Sequence, residues 1–374
     1  MQACLLGLGG GYGLDVDGEH RALRGLGWVE KDSGLGLSRC VVGSTMRIRK
    51  TTDMKAIQYM EPGKPELVEV PLPEVPEGEV LVKVNAVTTC PHWDIHIDAG
   101  EPMVPGMELN YPYTLGQPGH EATGEVVALG KGVTRFEEGD RVALWRDQGM
   151  ARQGCYAEYV PAKESSLIPV PADLDPVGVA SLELGMCVQV SFQQIREVTS
   201  MEGTRFAVNG LGPGGLVAIQ LARAYGAGEV IAFDPVPERR ELALKLGVDR
   251  VLDPLDSGAY PETRRRGEAL DIALDCTGLA PAVEYLMNRT NQVVALFGVL
   301  RDPVSFGLRH WNPGLYLLGY RPHNYQAAEE ALEQVVSGKL NLKHLVTKTL
   351  PFEQYAEGVQ LLKEKKAIKV CFVP

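Results

Sequence analysis

The chain has 374 residues, 45% of them hydrophobic, which is enough for two domains that each bury a core. A net charge of −11 and a pI of about 5.3 exclude the basic, phosphate-neutralising surface of a nucleic-acid or anionic-membrane binder. The seven cysteines (4, 40, 90, 155, 187, 276 and 371) form no close pairs, which argues against a disulfide framework or a cysteine-cluster zinc knuckle and for a reducing, cytoplasmic setting.

Residues 1 to 53 are rich in glycine and show no helical or strand period, so they read as a disordered extension or an unused upstream start. The opening MQACLLGLGGGYG lacks the basic segment of a secretion signal, and no apolar run reaches the 18 residues or so of a membrane span. Alternation begins at Met54. From there to about residue 170, short β-rich segments (MKAIQYM, LVEV, EVLVKVNAV, EATGEVVAL, DRVALW, CYAEYV) are broken by Gly and Pro turns, predicting a β-barrel or sandwich. PVGVASLELGMCVQVSFQQIREV has helical spacing and predicts one helix linking two domains.

Strict alternation follows: strand RFAVNG, helix LVAIQLARAYG, strand EVIAFD, helix PERRELALKLG, strands DRVL and DIALDC, helix APAVEYLM, strand QVVALFG. This predicts an α/β, doubly wound parallel sheet of the Rossmann type. The expected division is residues 54–185 for a first domain, 186–320 for the sheet domain, and 321–374, whose two helices and final strand AIKVCFV complete either one.

Gly210-x-Gly212-x-x-Gly215, with Gly214, directly follows a predicted strand and opens a predicted helix. That context turns a weak motif into a dinucleotide site: the glycines permit a tight turn and close backbone approach, and the helix N-terminus offers free N–H groups to a pyrophosphate. Asp234 ends the next strand about twenty residues on, where an acid accepts from the ribose hydroxyls and repels a 2′-phosphate, favouring NAD. The alternative for Asp234 is a helix cap beside Pro235, and Arg239 or Arg240 is placed to pack along the adenine or to soften the preference.

GHEATGEVVALGKGV (119–133), EEGDRV, the GLGPGG turn and the ending KAIKV together resemble the zinc-containing alcohol dehydrogenase branch of the medium-chain dehydrogenase/reductase family, from Met54 onward. The resemblance implies a β-rich, GroES-like catalytic domain built from the first and last segments, with the NAD domain inserted between them. It also implies one catalytic zinc per subunit, acting as a Lewis acid in hydride transfer between NAD(H) and a small alcohol, polyol or sugar and the matching carbonyl compound. His120 maps onto the histidine ligand. Glu121 maps onto the acid beside it, as ligand or close neighbour, and Glu183 onto the later acidic ligand.

Cys90 maps onto the cysteine ligand, although Cys90-Pro91-His92-Trp93-Asp94 carries one residue more before Asp94 than the family pattern, so alignments on Cys90 and on Asp94 disagree. The small hydroxyl residue that relays the substrate proton in the family is replaced by His92, expected to act as that relay or as a general base, the alternative being a structural or surface histidine, with Asp94 counted among the catalytic residues. Trp93 and His96 border the pocket, whose walls come from residues 97–118. After the Gly-Asp-Arg-Val segment only Cys155 stands where relatives carry four cysteines, so the loop WRDQGMARQGC is expected to be held by packing and at most one zinc is expected. The resemblance also implies that the neighbourhood of the aromatic stretch RHWNPGLYLLGYRPHN borders the cofactor and a subunit contact through the sheet edge, giving a homodimer or homotetramer; the alternative for that stretch is plain core. Two other readings stay open: a zinc-free enone or quinone reductase of the same fold, and a nucleotide-binding protein that has lost catalysis.

Overall fold

The computed structural model describes residues 53–374 apart from 104, 105, 257 and 313; the stretch read above as an extension, residues 1 to 53, lies outside the described residues except for Asp53, which already belongs to the first strand. The first strands, β1 (Asp53–Glu61) and β2 (Lys64–Pro71), form an antiparallel hairpin turned at Gly63. Then come β3 (Glu79–Thr88), α1 (Pro91–Ala99), β4 (Glu121–Leu129), β5 (Arg141–Leu144), β6 (Tyr159–Lys163) and β7 (Leu167–Pro169). Of the expected strand CYAEYV only the end extends into β6; Ala157 makes a single bridge to Ala56.

The helix expected over PVGVASLELGMCVQVSFQQIREV is interrupted. It forms α2 (Pro176–Val179) and α3 (Leu182–Val198), with Ser181 at the N-cap of α3 at φ −87°, ψ 24°. The break matches a side-chain bond: Ser181 Oγ lies 2.8 Å from Thr88 Oγ1 at the end of β3, which ties the start of α3 to the first sheet. Twelve of the fourteen residues from Leu182 to Ile195 are buried, and α3 runs through the largest core cluster, packed between both sheets.

A six-stranded parallel sheet follows: β8 (Arg205–Asn209), α4 (Pro213–Ala224), β9 (Glu229–Phe233), α5 (Pro237–Lys245), β10 (Arg250–Leu252), β11 (Leu270–Asp275), α6 (Ala280–Met287), β12 (Thr290–Leu296), α7 (Leu308–Trp311) and β13 (Tyr316–Leu318). The strand order is β10-β9-β8-β11-β12-β13, the doubly wound arrangement in which the order reverses between β8 and β11. The buried runs FAVN, VIAF and IAL show why these strands are central: no alternation survives where both faces are covered by helices.

The final segment, α8 (Tyr325–Val336), β14 (Val346–Pro351), α9 (Tyr355–Lys363) and β15 (Lys369–Val373), returns to the first sheet, whose order is β14-β15-β3-β4-β5-β7 with β6 also on β3. Cys371 of β15 pairs with Thr88 of β3, and Thr88 pairs with Glu121 of β4. Three distant stretches of sequence thus meet at one point.

Candidate metal and cofactor site

That meeting point fixes the acidic residue beside His120. Because Cys371 opposes Thr88, Lys369 falls just past the end of β3, where its Nζ donates to the carbonyl of Thr89 and lies 2.6 Å from both oxygens of Glu121. Thr88 Oγ1 donates to Glu121 Oε2 at 3.1 Å. Lys369 and Glu121 are both essentially without solvent contact. A buried carboxylate needs such a partner.

Cys90 is the N-cap of α1, with Pro91 opening the first turn. Asp94 N–H donates to Cys90 O at 2.9 Å, so Cys90 and Asp94 stand one helical turn apart. The helix resolves the misfit of the extra residue: Cys90 joins His120 and Glu121, with one ligand atom of each within 4.8 Å of the others, while Asp94 points into the core. Asp94 therefore departs from the expectation that it works on substrate. It is fully buried, and its Oδ1 accepts hydrogen bonds from Tyr156 and Tyr355, both at 2.8 Å. Burial pushes its carboxyl up to about 6 against the opposing pull of those two hydroxyls.

His120 precedes β4 and its Nδ1 is 2.8 Å from Pro118 O. A carbonyl can only accept, so Nδ1 carries the proton and Nε2 is left with a lone pair. That Nε2 lies 4.0 Å from Glu183 Oε2, which the first turn of α3 supplies. Glu183 is 5% exposed, and burial together with the negative charge of Glu121 drives its carboxyl upward against the pull of His120. A thiol, an imidazole with a free Nε2 and a buried carboxyl short of positive charge fit a zinc ion by donor chemistry. Trp93 sets its ring edge-on to His120, centroids 6.3 Å apart, whereas His96 turns away toward Glu101, its Nδ1 3.7 Å from Oε2.

His92, two residues on from Cys90, faces roughly the opposite side of α1. It is exposed, stacks edgewise on His96 at 4.7 Å, and its Nε2 lies 3.4 Å from Arg301 Nη2. Partial burial, His96 and Arg301 all lower its pKa. Arg301 follows β12 and also donates to Met103 O at 3.1 Å, linking the parallel sheet's loops to α1 and the 97–118 segment. Neither Arg301 nor Lys369 stood out in the sequence, although Lys369 lies within the KAIKV ending.

The loop WRDQGMARQGC is held by packing and polar contacts. Arg152 Nη2 meets Glu79 Oε2 at 2.6 Å, Gln148 bonds to the backbone of Lys163, and Cys155 is a free, buried thiol.

At the turn between β8 and α4 each glycine answers to a different constraint. Gly210 has φ +89°. A Cβ on Gly215 would stand 1.8 Å from Gly210 O, and one on Gly214 2.5 Å from the Phe297 ring, whereas one on Gly212 would meet nothing within 4 Å. Gly212 caps α4 with no side-chain bond to its N–H groups. Open space before unclaimed amides fits a pyrophosphate. Asp234 is buried beyond β9; its Oδ2 accepts from Leu211 N–H at 2.7 Å and its Oδ1 from Val236 N–H at 2.8 Å, with Arg239 Nη1 3.6 Å from Oδ2. The N-cap of α5 is Val236, so Asp234 braces the glycine turn and does not cap the helix. Gly298 packs on Gly278 at the same ends of β11 and β12, and Val299 is exposed.

Residues 76–172 match the family model described as alcohol dehydrogenase GroES-like domain, and residues 213–336 that described as zinc-binding dehydrogenase. An L-threonine 3-dehydrogenase of Pyrococcus horikoshii is 30% identical over 352 residues, covering 86% of this chain and 98% of that protein. One from Bacillus licheniformis is 28% identical over 359 residues, covering 86% and 99%. The crystal structure of a 2R,3R-butanediol dehydrogenase from Bacillus subtilis shares the fold with a TM-score of 0.76 at 24% identity, covering 86% of this chain and 99% of that one.

Proposed function

Because the chain belongs to the zinc-containing alcohol dehydrogenase branch of the medium-chain dehydrogenase/reductase family, we propose that it catalyses hydride transfer between NAD(H) and a small secondary alcohol or polyol, or the matching ketone. The observation that carries this reading is the meeting of Cys90 and His120 within 4.8 Å, with Glu183 4.0 Å from the free Nε2 of His120 and Glu121 alongside, held by Lys369. Cys90, His120 and Glu183 are the proposed zinc ligands. When bound, zinc supplies Lewis acidity toward a substrate oxygen and NAD takes up or gives the hydride.

The protein's own part is orientation and proton handling. Pro118 O fixes the tautomer and angle of His120, and Lys369 engages both oxygens of Glu121, leaving Glu183 as the freer acid ligand. Trp93 closes one wall against water. His92, on the exposed side of α1, carries the substrate proton toward solvent. Gly210, Gly212, Gly214 and Gly215 shape the NAD turn, and Asp234 with Arg239 reads the ribose, favouring NAD. The working division is residues 54–185 with 321–374 around the metal and 186–320 around NAD.

Two relatives named for threonine and butanediol favour a substrate whose reacting carbon is a secondary alcohol next to a second polar group. The exposed Leu308, Trp311 and Tyr316 beside the edge strand β13 favour a homodimer or homotetramer, and the free cysteines favour the cytoplasm. Elemental analysis of purified protein tests the reading, with one zinc per subunit and NAD-linked oxidation of vicinal diols or amino alcohols expected. No zinc, unrestored by adding it, would instead point to a zinc-free reductase.

A further inference from the structure

Counting cysteines along the sequence limits the protein to a single zinc, but Glu183 of the catalytic set also meets two further donors, one a turn along the same helix and one from a distant segment. Cys187 lies one turn after Glu183 on α3, and its Sγ is 3.2 Å from Glu183 Oε1. On its other side Sγ is 3.3 Å from Nε2 of His323, from the segment between β13 and α8. The three ligand atoms lie within 4.8 Å of one another. Tyr320 steadies this corner: its hydroxyl donates to Cys187 O at 3.1 Å and its ring meets His323 edgewise at 5.8 Å. Glu183 and Cys187 are buried and His323 is exposed, so the group opens to solvent on one side.

We propose that Glu183, Cys187 and His323 form a second divalent-cation site, suited to zinc, which shares the Glu183 carboxylate with the catalytic site. The sharing rests on Glu183 being a catalytic ligand; the Cys187–His323 pair stands without it. The two carboxylate oxygens face different ways, Oε2 toward His120 and Oε1 toward Cys187. Tetrahedral zinc with Zn–S near 2.3 Å and Zn–N near 2.0 Å sets sulfur and nitrogen donors about 3.5 Å apart. The observed spacing needs to open by only a few tenths of an ångström. Entry of the ion displaces the Cys187 thiol proton to solvent, leaving a thiolate on the metal, and makes Glu183 a bridge between two cations. Because its His323 ligand is exposed to solvent, the second ion exchanges more readily than the first and is lost on dialysis against zinc-free buffer.

Equilibrium dialysis of the full chain against micromolar zinc, with elemental analysis, tests this in wild type, His323→Ala and Cys187→Ser. Wild type is expected to take two ions and each variant one, with second-ion affinity lowered about tenfold or more. His323 is exposed, so its replacement carries little folding risk. Cobalt(II) titration gives an independent readout: the second equivalent adds thiolate charge-transfer absorption in wild type that Cys187→Ser lacks. Saturation of wild type at one ion, or uptake of a second ion by both variants, overturns the second site and leaves the His120 site standing. No uptake by any of the three overturns both.

Discussion

Lys369 Nζ stands 2.6 Å from each carboxylate oxygen of Glu121, and neither side chain has appreciable solvent contact. Breaking such a pair leaves an uncompensated buried charge, so Lys369→Met is expected to destabilise the protein by about 3–5 kcal/mol. Denaturant unfolding measures it. A loss below about 1 kcal/mol would mean that Glu121 finds another partner or takes up a proton cheaply.

Cys90→Ser replaces the thiolate with a weaker donor while keeping the cap of α1, so zinc content is expected to fall well below one per subunit with the fold intact by circular dichroism. A variant that holds its full zinc removes Cys90 from the ligand set.

Two positions of the glycine turn separate packing from binding. Gly215→Ala puts a methyl group 1.8 Å from Gly210 O and should cost about 1–3 kcal/mol or more, seen as a lowered Tm. Gly212→Ala meets empty space, so Tm should hold while NAD binds at least tenfold more weakly. Undiminished NAD affinity in Gly212→Ala would move the pyrophosphate elsewhere.

Asp234→Ala loses a carboxylate that braces Leu211 and, in the proposed complex, accepts from the ribose. NAD affinity should fall and the preference over NADP should narrow, as read by fluorescence titration with both cofactors. A weaker but equally selective variant would reduce Asp234 to bracing the turn.

His92→Ala should lower turnover by about a hundredfold if the imidazole relays the proton, and added imidazole should restore part of it. Turnover that is unchanged leaves His92 only as the neighbour of Arg301.

The glycine turn, His120 and Glu183 were legible because each sits in a local pattern: a strand-turn-helix, a Gly-His-Glu at the head of a strand, an acid in an apolar helix. The parallel sheet was legible for the same reason, since buried central strands read as continuous apolar runs. What the pattern missed was long-range. Lys369 reaches Glu121 only because β15 crosses back to β3, and His323 reaches Cys187 across 136 positions. Cys187 itself was within reach, being four residues after Glu183 on a predicted helix. The break at Ser181 escaped because its cause, the bond to Thr88, is tertiary. Asp94 was misjudged as a working acid because sequence carries no sign of the two tyrosines that enclose it.

The return of β15 to the first sheet also sets an order of assembly. The parallel sheet, β8 to β13, is contiguous and has all its strands once residue 318 is made. The metal-holding sheet must wait, because β15 lies between β14 and β3 and brings the cation that neutralises Glu121. During synthesis, N-terminal first, the cofactor half therefore has all its strands, lacking only the cover of α8 and the segment after it on α3 and α4, while the half that holds His120 still lacks an interior strand. A nascent chain halted before Lys369 would expose the β3 edge and a buried acid with no counter-charge, the state most in need of a chaperone.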